Sequence, residues 1–240
     1  MCNSIIILQA RMGSSRFPGK VIYDIQGIPL ISHCIRRLRL IDENVALIVA
    51  TSDLEIEEPL VEIVKKENCF FFRGDEQDVL DRFYRLALSF LCPDYIIRAT
   101  GDNPLIDPYE AKKIIKKINE KNWDYIAGFS DDSIYGLPKG VGLEAFSMKA
   151  LSYAWNNGKK LKYREHINEF FFDNQDKFNI FNIKCEQQNS YPDLNLSVDT
   201  YEDLRFLLTI SKKIGKPLID LTTEEIIFFL QSERPKNVYQ

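Results

Sequence analysis

A three-layer α/β/α fold, with a mostly parallel sheet between two helical layers, is predicted by three observations. Short apolar runs alternate with longer amphipathic stretches through the first two-thirds of the chain, the rhythm of parallel strands joined by right-handed crossovers. The first run, Ile5 to Leu8, is unbroken, as suits a strand buried on both faces. A loop rich in glycine, serine and arginine follows that run directly.

Strands are expected over 4–8, 46–50, 69–72, 95–98 and 125–127. Between them, apolar residues recur at helical spacing: Ile31, Cys34, Ile35, Leu38 and Ile41 form one stripe, and Leu80, Phe83, Tyr84, Ala87 and Leu91 another. Ile114, Ile115 and Ile118 form a third, on a helix with a lysine-rich outer face. Ser52 with Glu55, and Thr222 with Glu225, have the spacing of capping boxes. The rhythm breaks near Gly128, where Asp131, Asp132, Gly136, Pro138, Gly140 and Gly142 mark a turn-rich excursion. A strand over 143–146, helices over 147–155 and 163–172, strands over 178–183 and 194–197 and two closing helices are expected to follow. The organisation reads as one domain, 1–240, with an inserted arm over 129–146 and no internal repeat.

Composition narrows the function classes. The 240 residues are 45% apolar and 28% charged, the balance of a globular chain, and the net charge of −4 offers no basic field for nucleic acid. No apolar run approaches the ~20 residues of a membrane span. The cysteines, Cys2, Cys34, Cys69, Cys92 and Cys185, are five and contain no CxxC pair. That pattern argues against a zinc site or a disulfide framework and suits reduced thiols in a cytoplasm.

The loop over 9–20 reads QARMGSSRFPGK. A glycine-rich loop at the carboxyl end of a first strand is where open α/β sheets bind nucleotides. Gly13 and Gly19 admit close approach of a ligand, Ser14 and Ser15 add donors, and Arg11, Arg16 and Lys20 bring three cations. Oriented N–H groups with fixed cations suit a triphosphate. The loop is not a Walker A motif: five residues separate its glycines and Val21 follows Lys20. Residues 21–25 and then 27–29 read as strand and turn, not an immediate helix.

Two acidic positions stand out downstream. Asp102 lies on a Gly-Asp turn after a strand, in RATGDNPLID over 98–107, and could aim at the same crevice or be one turn former among several. Asp107 reads as a helix cap. Asp199, in SVDTYEDL over 197–204, fits either an N-cap with Glu202 or a second carboxylate. A triphosphate calls for Mg²⁺, which takes one or two carboxylates beside phosphate oxygens.

Together these segments resemble the cytidylyltransferases of the spore-coat polysaccharide F type, relatives of the 3-deoxy-manno-octulosonate and acylneuraminate cytidylyltransferases. ATSD over 50–53, FRGDEQDVLDR over 72–82, GVGLEAF over 140–146 and REH over 164–166 follow in the family's order, so the likeness runs from about 5 to 204. The resemblance implies a Rossmann-like nucleotidyltransferase (nucleotide-diphospho-sugar transferase) fold that pairs as a homodimer through the excursion. It implies a catalytic set of Arg11, Lys20, Asp102 and Asp199, with Mg²⁺ as cofactor on the two aspartates. CTP is expected against Gln9, Ala10, Arg11, Gly13, Ser14, Ser15, Arg16, Lys20, Arg73, Thr100 and Gly101. The segment from Arg73 to Asp78 is expected to help select the base.

The resemblance also places a small sugar-acid acceptor against Glu144, Arg164 and His166. Gly142 departs from the acidic residue that family members often carry there. Arg164 could bind a sugar carboxylate or pair with a neighbouring acid. His166 shares a helical face with Tyr163, Ile167, Phe170 and Phe171, where a buried core role is equally open; His33 lies on the polar side of its helix. The aromatic run over 170–172 and Phe228 with Phe229 suit core or dimer contact better than base stacking. The expected reaction is attack of an acceptor hydroxyl on the α-phosphorus of CTP, giving a CMP-sugar and pyrophosphate for surface glycan synthesis. A sugar-phosphate or polyol-phosphate nucleotidyltransferase, a glycosyltransferase on the same sheet and a non-catalytic nucleotide-binding subunit are the rivals.

Overall fold

A computed structural model describes residues 3–90, 92–128 and 136–233. The central strand β1 (Ser4–Gln9) precedes a short hairpin, β2 (Asp24–Ile25) with β3 (Ile28–Pro29). The remaining strands are β4 (Ala46–Ser52), β5 (Phe70–Gly74), β6 (Tyr95–Thr100), β7 (Tyr125–Ala127), β8 (Glu144–Ser147) and β9 (Ile180–Asn182). Seven of them form one sheet in the order β5-β4-β1-β6-β8-β7-β9. β1 pairs in parallel with both β4 and β6, and β8 alone runs antiparallel to its neighbours. The chain moves outward from β1 to β4 and β5, then returns to the other side of β1 at β6. This reversal opens a crevice beyond the carboxyl ends of β1 and β6.

Helices cover both faces. On one lie α1 (Leu30–Arg39), α2 (Glu58–Lys66), α4 (Pro108–Glu120), α8 (Tyr201–Ile214) and α9 (Thr223–Ser232). On the other lie α3 (Val79–Ser89), α5 (Met148–Asn157), α6 (Leu161–Glu165) and α7 (Ile167–Phe172). Alternation along β1 feeds both cores: Ile6 and Leu8 join the first, Ile5 and Ile7 the second. Each such side chain, fully buried, contributes about 1.5–3 kcal/mol of hydrophobic stabilisation. The three stripes read from the sequence face these cores, except that Leu91 lies outside the described residues.

Several local expectations need correction. The stretch 194–197 is not a strand; it makes a single bridge, Lys139 with Asn195. The helix expected over 163–172 is two short helices broken at His166, whose backbone is extended. Ser52 ends β4 instead of capping a helix, and its hydroxyl donates to Glu57 Oε1 at 2.8 Å. The box at Thr222 and Glu225 is present. Residues 20–22 form a 3₁₀ turn where a strand was expected. His33 is buried, not on a polar face; burial lowers its pKa, and its Nε2 lies 3.2 Å from Ile25 O. Of the arm expected over 129–146, residues 129–135, with Asp131 and Asp132, lie outside the described residues, as does Cys2. Beyond them Leu137, Val141 and Leu143 are buried and lead into β8.

Candidate active site

The loop leaving β1 is shaped by its own backbone. Met12 O accepts from Ser14 N at 2.9 Å and Gly19 N at 3.0 Å, which folds the loop back on itself. Gly101 N donates to Gln9 O at 2.7 Å, holding the end of β6 against the end of β1. A Cβ at Gly101 would lie 2.8 Å from Ala10 Cβ, so glycine is what permits this approach. Phe17 packs edge-on against Tyr23 and Tyr201, with ring centroids 5.4 and 6.1 Å away, tying the loop's far side to the start of α8.

The two acidic segments meet the same loop. Val198 N donates to Asp102 O at 2.8 Å, bringing Asp199 beside Asp102. The cap of α8 is Thr200 with Asp203, not Asp199 with Glu202. Asp203 Oδ2 also accepts from Asp199 N at 2.9 Å, so the Asp199 carboxylate is free to face the crevice. There Lys20 Nζ donates to Asp102 Oδ2 at 3.1 Å, Asp199 Oδ1 at 3.2 Å and Val198 O at 2.8 Å. Arg16 and Lys139 each reach Asp199 at 3.1 Å. Burial pulls the Asp199 carboxyl upward, but hydrogen bonds from Lys139 and Lys20 outweigh it and hold its pKa below the usual aspartate range.

These groups line a cleft of about 310 Å³. It brings together Gln9, Ala10, Arg11, Gly13, Ser14, Ser15, Arg16, Lys20, Thr100, Gly101, Asp102 and Asp199, with His166 also in its lining. The break between α6 and α7 accounts for His166: it is exposed at the cleft, not buried on a shared helical face with Tyr163 and Phe170. Arg11 lies 3.7 Å from Glu76.

Arg73 is not brought to this cleft. It sits on the edge strand β5, where its guanidinium pairs with Glu58 at 2.6 Å and reaches Leu54 O. Arg164 takes the pairing alternative: its Nε and Nη2 both donate to Asp78 Oδ2, at 2.8 and 2.5 Å. Asp107 caps α4, accepting from Tyr109 N and Glu110 N.

A second cleft of about 410 Å³ adjoins the first. Arg98 and Thr100 line both, and Glu144, Asn103, Lys139 and Pro192 line the second. Arg98 and Glu144 are register partners on β6 and β8, and Arg98 Nη1 donates to Glu144 Oε1 at 3.0 Å. Gly142 lines this cleft, and a Cβ there would sit 2.6 Å from Gly128 O. The departure from an acidic residue at 142 thus has a packing reason: the backbone of Gly128 takes that space.

Sequence reasoning missed Arg98, Lys139 and Glu57. Arg98 was read as strand, although it opens the Asp102 motif; Lys139 carried no signal beyond its place among glycines.

A family model described as cytidylyltransferase matches residues 5–233. The chain is 31% identical over 233 residues to an uncharacterised protein, MJ1063, of Methanocaldococcus jannaschii, covering 97% of this chain and 92% of that one. It is 28% identical to the spore coat polysaccharide biosynthesis protein SpsF of Bacillus subtilis, covering 96% and 95%. Among solved structures, a cytidylyltransferase from Leptospira borgpetersenii superposes with a TM-score of 0.86 at 24% identity, covering 97% of this chain and 95% of that one. A CMP:2-keto-3-deoxy-manno-octonic acid synthetase complexed with CTP superposes with a TM-score of 0.64 at 19% identity, covering 88% and 99%.

Proposed function

The chain belongs to the cytidylyltransferase family, and we propose that it is the nucleotidyltransferase that couples CTP to a small sugar acid, forming a CMP-sugar and pyrophosphate. The convergence of Asp102 and Asp199 on one cation, Lys20, beside the glycine-rich loop carries this reading. Two carboxylates, one just after β6 and one just before α8, that already face a common cation suit a hard divalent ion completed by phosphate oxygens. Among the described residues no group of three or more His, Cys, Asp or Glu gathers around a point, so such an ion would draw its other ligands from the nucleotide and water.

Mg²⁺ held by Asp102 and Asp199 would neutralise phosphate charge and ease deprotonation of the acceptor hydroxyl. The chain's own part is positioning and charge. Arg11 and Arg16, with the loop N–H groups near Gly13 to Ser15, would take the β- and γ-phosphates; Lys20 would bridge the carboxylates to the triphosphate. The acceptor oxygen forms its bond to the α-phosphorus as the bond to pyrophosphate breaks, and Arg11, Arg16 and Lys20 receive the departing charge. The base would lie toward Gln9 and Ala10, where Gln9 Oε1 is buried without a partner among the described residues and could accept from an exocyclic amine. The acceptor would occupy the second cleft, against Glu144 and Arg98, with His166 contributing from the lining of the first. Homodimer formation through the segment after β7 is part of the same proposal. No helix among the described residues is long and apolar enough to cross a membrane.

Incubation with CTP, Mg²⁺ and a panel of 2-keto-3-deoxy sugar acids, followed by ³¹P NMR, tests the acceptor class. A new phosphodiester resonance with pyrophosphate supports it and names the acid. Product only with a sugar phosphate or polyol phosphate would replace the acceptor while keeping the cytidylyl transfer.

A further inference from the structure

Beneath the glycine-rich loop lies a carboxylate outside every motif assigned above. Glu57 is 1% exposed and stands one residue before α2, at the end of a 3₁₀ turn. Its Oε2 accepts from Met12 N at 2.9 Å and from Thr51 Oγ1 at 2.9 Å, and its Oε1 from Ser52 Oγ at 2.8 Å. Thr51 and Ser52 close β4, a rigid neighbour of β1. Met12 is the residue whose carbonyl gathers Ser14 N and Gly19 N. One residue therefore carries the loop: its C=O folds the loop, and its N–H is gripped by Glu57.

We infer that Glu57 is a positioning residue for the nucleotide, which fixes the phosphate-binding loop to the end of β4 through the Met12 N–H. It touches no substrate. The two hydroxyls hold the carboxylate in one rotamer, and the carboxylate sets where the amides of Gly13, Ser14 and Ser15 point. A buried acceptor that satisfies three donors is costly to shorten, because each donor left behind in the interior is unpaired. Reach is what matters: a glutamine can still accept from Met12 N through its carbonyl while its amide turns to a Ser52 hydroxyl able to accept. An aspartate keeps the charge but withdraws it by one methylene.

This inference rests on CTP as the ligand, and its test separates the two. Amide hydrogen exchange at Met12, followed by NMR in the ligand-free protein, reports the grip directly; calorimetry with CTP and Mg²⁺ reports its consequence. In Glu57→Asp, exchange at Met12 should accelerate at least tenfold and the CTP dissociation constant should rise on the order of 10–100-fold, as expected for a misplaced binding loop. Glu57→Gln should keep Met12 protected and remain within about tenfold of the wild type, since one acceptor oxygen still reaches the amide. The double variant Thr51→Val with Ser52→Ala, which frees the carboxylate from the two hydroxyls that hold its rotamer, should accelerate Met12 exchange and weaken CTP binding in the same direction as Glu57→Asp, because the three residues act as one network. Unchanged Met12 exchange in Glu57→Asp, unchanged CTP affinity despite faster exchange, or Glu57→Gln binding more weakly than Glu57→Asp would each overturn the inference. If the wild type does not bind CTP at all, the nucleotide assignment fails, while Met12 exchange still decides whether Glu57 grips the loop.

Discussion

Lys20 Nζ stands 3.1 Å from Asp102 Oδ2 and 3.2 Å from Asp199 Oδ1, so one ammonium joins two carboxylates that are 97 residues apart in the chain (199 − 102). With Val198 O as its third acceptor, all three of its protons are engaged before any nucleotide arrives. Lys20 is buried, and a buried charge persists only when paired in this way. Phosphate binding then requires Lys20 to exchange or share one of these bonds.

Removing that ammonium should damage both acids at once. Lys20→Met is expected to lower kcat/KM by about 100-fold or more, the scale of losing one pre-organised charge on a transferring phosphoryl group. Steady-state pyrophosphate release checks it, with a CTP titration separating KM from kcat.

Asp199 makes a pH prediction with a definite sign. Its pKa in the folded chain lies below its unfolded value because Lys139 and Lys20 favour the anion more than burial disfavours it. The stabilisation it gives is therefore present above the ordinary aspartate range near ~4 and is lost as pH falls through the lower folded value. Urea unfolding at pH 7, 5 and 3 should show wild type more stable than Asp199→Asn at neutral pH, with the difference shrinking at the acid end.

Gly142 should tolerate no side chain in this backbone. Gly142→Ala places a Cβ 2.6 Å from Gly128 O, an overpacking expected to cost roughly 1–3 kcal/mol. Thermal unfolding should register that loss, and acceptor-dependent turnover should fall more than CTP affinity, because the residue lines the second cleft alone.

Arg73 and Arg164 should separate from the cleft-lining cations. Arg73→Ala should change the KM for CTP by less than about threefold, since it breaks an exposed pair with Glu58 and an exposed bond to Leu54 O, both away from the cleft. Arg164→Ala should act mainly on stability, through loss of the two bonds to Asp78. CTP titrations and melting curves on both variants distinguish these effects.

The fold was legible because its signals are redundant: apolar runs at β1, β4 and β6 and stripes on α1, α3 and α4 each repeat one pattern. That the glycine-rich loop, Asp102 and Asp199 would meet at one cleft was legible because their residue types suit one chemistry, and the folded chain does bring them together. What escaped depended on contacts distant in sequence. Glu57 looked like one glutamate among several before α2, and only the folded chain sets it under Met12, 45 residues away. Asp199 fitted a cap with Glu202 by spacing alone, whereas the folded chain caps α8 with Thr200 and Asp203. His166 was assigned to a helical face because apolar spacing continued through it, whereas an extended backbone at that residue turns it to the cleft. Arg73 has the right type and motif position, but β5 is an edge strand and its side chain pairs outward with Glu58.

Pyrophosphate release measured with each of the four nucleoside triphosphates, Mg²⁺ and sugar-acid acceptors tests the central claim most directly. The account predicts release with CTP alone, falling by at least about 100-fold in Asp102→Asn and in Asp199→Asn. Release driven by another triphosphate, or CTP turnover that survives both substitutions, would contradict it.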